Sequence, residues 1–174
     1  MIRCVILVVL LLAPGSVSLA AEALLEYQVK AVCILNTVRF VSWPATAFSS
    51  PNSPLVIGIL GDNPFGTLLQ DVMKGETVQQ RKIVVRRVSR EEAASVQVLF
   101  ICRSESDRLP EILQAVGGAS VLTIGEMDGF TQNGGMLRLA LVRDKIRFEA
   151  NADAARRARL KIDPQFLLLA RSPK

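Results

Sequence analysis

Leu55-Val56-Ile57-Gly58-Ile59-Leu60-Gly61-Asp62-Asn63-Pro64-Phe65 is the stretch on which the reading of this chain turns. Residues 55–60 are apolar without interruption, which suits a strand buried on both faces rather than one with a wet side. Gly61-Asp62 ends the run. Asn63 then stands as a helix cap, with Pro64 at the first helical position, where its missing N–H costs nothing. The spacing predicts a helix from Phe65 to Met73, closed by Lys74-Gly75. A buried strand passing directly into a helix is the opening of a βαβ unit. Downstream the same grammar repeats. Ile83–Val88 reads as a second strand, Ser89 caps a short turn through Ala94, and Val96–Ile101 reads as a third strand. Ser106-Asp107 opens a helix over Leu109–Val116 that Gly117-Gly118 ends, and Val121–Ile124 is a fourth strand. Strands and helices in alternation argue for a parallel sheet with helices on its faces.

Beyond residue 124 the pattern changes. Residues 125–135 form a loop rich in Gly, Asp and Asn. Met136–Val142 and Lys145–Ala150 alternate apolar and polar residues around Arg143-Asp144, the signature of an antiparallel hairpin. Asn151 caps an Ala-rich helix, and a short helix over Pro164–Ala170 closes the chain. Upstream, Glu22–Val41 reads as a helix. Leu25, Val29, Val32, Cys33, Asn36 and Phe40 recur at spacings of three and four, and Ala31, Leu35 and Val38 make its other faces apolar too. Such a helix is largely buried or packs against a second subunit. Trp43-Pro44 stops it. The expected architecture is one α/β domain over residues 21–174. Its sheet is mixed, largely parallel and of about six strands, flanked by helices, with a C-terminal β-hairpin and helices.

Residues 1–20 read differently. Met1-Ile2-Arg3 is a short positive start, Cys4–Ala13 is almost wholly apolar, and Ser16–Ala21 supplies small residues for a peptidase. This is the pattern of a secretory signal peptide cleaved after Ala20, or alternatively after Ala21; an uncleaved anchor is the competing reading, for which the apolar run is short. The expected destination is therefore an exported, oxidising compartment. Two cysteines, Cys33 and Cys102, remain after cleavage. An oxidising compartment permits a disulfide between them, and two buried thiols are the alternative.

The 174-residue chain has 21 Lys+Arg, 16 Asp+Glu and no His. Without histidine, Ser-His-Asp and Cys-His nucleophile systems and His-ligated zinc are excluded. Basic runs at Arg86, Arg87 and Arg90 and at Arg156, Arg157, Arg159 and Lys161 lack interleaved aromatics. They read as solvated faces or as contacts for an acidic partner or membrane surface, and nucleic acid is not expected as a partner. Asp62 and Asn63 lie at the carboxyl end of the first strand, where open α/β sheets commonly bind ligands. The motif is neither a dinucleotide fingerprint nor a phosphate-binding loop, and an ordinary capped turn is the favoured reading of it. Asp62, Glu126 and Asp128 can share that sheet edge, as turn residues or as an acid–base or metal cluster. Trp43 can anchor a binding surface or plug the core. Gly134-Gly135-Met136 allows close backbone approach to a ligand or simply a sharp strand entry. Together with Asn151, these residues (Trp43, Asp62, Asn63, Gly134, Gly135 and Met136) are the candidate partner- or ligand-binding positions. No catalytic, metal or cofactor site is expected.

Several ordered pieces resemble the YfiR family of small periplasmic proteins. They are Tyr27-Gln28-Val29-Lys30-Ala31, Phe40-Val41-Ser42-Trp43-Pro44, Val121-Leu122-Thr123-Ile124-Gly125, Gly134-Gly135-Met136, Lys145–Asn151 and Leu167-Leu168-Leu169-Ala170. The resemblance implies an α/β protein that forms homodimers. It implies a non-enzymatic regulator that binds the periplasmic sensor region of an inner-membrane diguanylate cyclase, or another sensor protein, and represses cyclic-di-GMP synthesis and hence biofilm formation. It further implies sequestration by an outer-membrane lipoprotein. The competing expectation is a periplasmic small-ligand binding protein with its site near Asp62-Asn63.

Overall fold

A computed structural model describes residues 16–170. In chain order it contains α1 (Ser16–Arg39), β1 (Val41–Ser42), β2 (Leu55–Leu60), α2 (Leu68–Met73), β3 (Thr77–Val78), β4 (Arg81–Arg87) and β5 (Val98–Ile101). There follow α3 (Leu109–Val116), β6 (Leu122–Gly125), β7 (Leu137–Val142), β8 (Lys145–Ala150), α4 (Ala152–Arg157), β9 (Lys161–Ile162) and α5 (Pro164–Leu169). The expected signal segment, residues 1–20, lies outside the described residues apart from the first turn of α1. Among the described residues no helix is long and apolar enough to cross a membrane.

The main sheet has seven strands in the order β3-β4-β2-β5-β6-β7-β8. The five central strands are parallel, and β3 and β8 pair antiparallel at the two edges. The expected mixed, largely parallel sheet is therefore the one observed. From β2 the chain steps to β4 on one side and then crosses to β5 on the other, so the direction of winding reverses between β2 and β5. This is the topological switch point of a doubly wound sheet.

Two cores sandwich the sheet because the central strands are apolar on both faces. Along β5, Val98 and Phe100 face the core shared with α1, α2, α4 and α5, while Leu99 and Ile101 face the core shared with α3. Each such side chain contributes roughly 1.5–3 kcal/mol when fully removed from water. β6 reaches its parallel neighbour β7 without a helix. Residues 126–136 make the crossover, and Met127 and Phe130 are buried in the α3-side core. Phe130 lies against the backbones of Gly125 and Gly135; a Cβ on either would come within 2.5 and 2.2 Å of its ring.

Four expectations need correction. First, α2 starts at Leu68, not Phe65. The Asn63 side chain accepts from the Phe65 N–H and donates to the Gly66 carbonyl, and Gly66 has φ +56°, so residues 63–66 close on themselves as a turn. Second, β3 and the β1–β9 pair were not expected. Gln79-Gln80 takes left-handed φ values of 51° and 66° between β3 and β4, the work normally done by Asn-Gly, so the turn signal was hidden. Third, the seam of α1 at spacings of three and four is largely its outward face. Leu25, Val29 and Val32 are 61%, 42% and 47% exposed, whereas Lys30, Ala31, Ile34, Leu35 and Val38 are buried. The hairpin alternation also fails at its tip, where Leu141 and Val142 are both exposed as the ribbon leaves the core.

Candidate functional site

The carboxyl ends of the parallel strands carry the most concentrated polar chemistry of the described chain. Glu126 follows directly on β6 and is only 3% exposed; Lys30, on the inner face of α1, is 1% exposed. The Lys30 ammonium pairs with Glu126 and with Glu26, one helical turn earlier. The Tyr27 hydroxyl lies 3.2 and 3.3 Å from the two Glu126 carboxylate oxygens and donates to them, and the Arg103 Nε lies 3.9 Å away. Lys30 also sits 4.7 Å from the centre of the Tyr27 ring, and that ring meets Phe65 edge-on. Burial first, and the Glu126 charge second, raise the Tyr27 phenol well above its ordinary range. It is held as a hydrogen-bond donor.

This cluster fastens α1 to the end of β6. Buried charges of this kind are stable only when paired and hydrogen-bonded, and here each has more than one partner. Its chemical role is therefore positioning. The Lys30 charge is already matched by two carboxylates, and Glu126 is already engaged by a cation and a phenol.

The carboxylates expected to meet at this edge do not form one cluster. Glu126 is buried in the network above, whereas Asp128 is exposed and pairs with Arg138, which also binds Glu149 on β8. Among the described residues no group of three His, Cys, Asp or Glu side chains is placed to hold a metal. Asp62 is also separate. Its N–H donates to the Ser104 Oγ at 2.8 Å, and that oxygen would lie 2.5 Å from a Cβ on Gly61. Ser104 thus packs into the switch-point turn beside Asp62 and Asn63, where the small-ligand site was expected.

The other candidate residues have structural work. Trp43 is buried and donates its indole N–H to the Gln97 carbonyl at 3.0 Å. Gly134 takes φ +100°, and Gly135 leaves room for the Phe130 ring. The Met136 N–H donates to the Thr123 hydroxyl, and its carbonyl accepts from the Asn151 N–H. The Asn151 side chain caps α4 by accepting from the Ala154 N–H, and it donates to the Thr131 carbonyl. These positions tie the 126–136 crossover to the hairpin and α4. Cys33 and Cys102 are both free thiols. Burial, then the nearby charges of Glu126 and Asp62, push Cys102 up to about 12, and burial raises Cys33.

Sequence reasoning missed Lys30, Tyr27 and Arg103. Lys30 lies on a helix face next to alanine and isoleucine, and only its i,i+4 relation to Glu26 was visible as a local signal. Nothing in the sequence spacing connects it to Glu126, 96 residues away.

A search among curated proteins finds no match to the chain. A family model described as YfiR/HmsC-like matches residues 27–171, from the tyrosine of the buried network to two residues past α5. The matched span takes in every strand of both sheets, and the chain belongs to the YfiR/HmsC-like family.

Proposed function

We propose that this protein is an exported, periplasmic regulator that binds the sensor region of an inner-membrane diguanylate cyclase and holds cyclic-di-GMP synthesis low. The observation that carries this reading is the family match across the whole domain. The secretion pattern of residues 1–20 supports the compartment, and the absence of histidine from the sequence fits a protein that acts by binding rather than by catalysis. The outward seam of α1, with Leu25, Val29 and Val32, offers apolar surface for the sensor or for a second copy in a homodimer. An outer-membrane lipoprotein that competes for the regulator completes the scheme.

Repression requires differential binding, since a ligand shifts an equilibrium only by preferring one state. Moving a cyclase from almost wholly active to almost wholly inactive takes roughly 5.5 kcal/mol of preference for the inactive form. Deleting the gene should raise cellular cyclic-di-GMP, and the tagged protein should recover a cyclase or sensor from solubilised inner membrane. Unchanged cyclic-di-GMP together with no recovered membrane sensor would overturn the proposal.

A further inference from the structure

One edge of the main sheet is only partly covered. β4 runs from Arg81 to Arg87, and its inner side pairs with β2 from Ile83 to Arg87. On its outer side β3 pairs antiparallel with Arg81 and Lys82 alone. The Ile83 N–H still reaches the Glu76 carbonyl, at 3.3 Å, before the chain departs toward α2. The Val88 N–H points the other way, to the Ile59 carbonyl of β2. Main-chain groups alternate sides along a strand, so those of Val85 and Arg87 face the outer edge, as those of Ile83 do. Among the described residues no strand pairs with them there.

The side chains of this edge sort by face. Ile83 and Val85 are half-buried against the core that α2 shares. Lys82, Val84 and Arg86 stand on the opposite face, where Val84 is 41% exposed. Residues 81–90 hold five cations and no acid. Three of the five are engaged within the chain. Arg81 donates to the Ser50 and Ser53 carbonyls, Arg86 pairs with Glu92, and Arg90 lies 3.9 Å from Glu105. Lys82 and Arg87 are exposed and form no ion pair among the described residues; Arg87 donates to the Gly61 carbonyl at 3.2 Å. Glu76, beside the open stretch, is held by Arg39. Cations on an edge strand repel a second copy of the same edge, which is a common protection against self-association. The same charge favours an acidic strand, and β3 shows that this edge accepts antiparallel addition.

We propose that the outer edge of β4 takes an extended segment of a partner protein as an added strand, with acidic residues in reach of Lys82 and Arg86 and apolar residues beside Ile83 and Val85. Main-chain bonds to Val85 and Arg87 supply affinity, and the alternating side chains supply specificity. The proposal rests on β4 and is independent of the cyclase reading.

Fluorescence anisotropy of the purified chain with a labelled peptide, Glu-Val-Glu-Thr-Glu-Val-Glu, tests it. The peptide should bind saturably, and more weakly as salt rises. The same peptide with Lys in place of Glu should not bind. Methylating the main-chain nitrogens of alternate residues blocks one edge of the peptide only. One alternate set should abolish binding and the other should leave it, whichever direction the added strand runs. The double variant Lys82→Glu/Arg86→Gln should weaken binding about tenfold, through two lost cross-strand charge pairs, while its Tm stays close to that of the parent chain. No binding of the acidic peptide would overturn the proposal. So would equal binding of the Lys peptide, the same effect from both methylated sets, or undiminished affinity in the double variant.

Discussion

Lys30 shows at the level of one residue how a charge can be carried into the interior. Its ammonium is removed from water but answered by Glu126, Glu26 and the face of the Tyr27 ring. Lys30→Met should therefore destabilise the fold by about 3–5 kcal/mol, since it strands Glu126 in the interior. The double variant Lys30→Met/Glu126→Leu should recover most of that loss, and urea unfolding of the three variants measures the coupling. Cys102 gives a pH prediction. In the unfolded chain its thiol ionises near 9.0, in the folded chain at about 12. Below about pH 9 both states keep the proton and the contribution to stability is fully present. Above it the unfolded chain releases its proton first, so stability falls as pH rises toward about 12. Cys33 and Tyr27 are shifted in the same direction. Tm should decline through this alkaline window, and less steeply in Cys102→Ala.

At the scale of the element, α1 carries two apolar faces with different tasks. The face of Ala31, Ile34, Leu35 and Val38 is buried in the core, and that of Leu25, Val29 and Val32 is turned to solvent. Ile34→Ala should cost roughly 2–5 kcal/mol, as for other large-to-small core changes. Val32→Lys should change stability by less than about 0.5 kcal/mol, because nothing in the core depends on it. If the outward seam meets the sensor or a second copy, Val32→Lys should nevertheless weaken repression or self-association. Chemical denaturation alongside sedimentation and a cyclic-di-GMP reporter separates these outcomes. The helical periodicity of α1 was legible from the sequence, but which face pointed inward was not. Both faces are apolar, and the inward one contains a lysine that local reasoning would place in water. The 126–136 crossover was likewise legible only as a Gly-rich loop. Its packing centres on Phe130 held between Gly125 and Gly135, a contact among residues that spacing alone cannot bring together.

For the whole molecule, the doubly wound sheet separates two regions of polar chemistry. At the carboxyl edge Ser104 packs against the Gly61–Asp62 turn, and the buried network fastens α1 to β6. The amino edge holds a cleft lined in part by Arg159 and Ser120. Export is testable at this scale. Mass spectrometry of the protein recovered from the periplasm should show a chain beginning at Ala21, with residues 1–20 removed. A mass that retains Met1–Ala20 would refute cleavage and place the apolar segment in the working protein.

What the amino-acid sequence determined by itself was the class of the fold and most of its elements. Continuous apolar runs at Leu55–Leu60 and Val98–Ile101, short and bounded by turn residues, suit a strand covered on both faces, and capping residues such as Asn151 act over three or four positions. Local patterns with local causes are readable from local residues. Tertiary structure alone decided the faces and the sites. It brought Lys30 to Glu126, set Ser104 into the switch-point turn and turned the seam of α1 outward. Each of these depends on pairing groups tens of residues apart, and the cost of burying a charge or hydroxyl is settled only when its distant partner is in place.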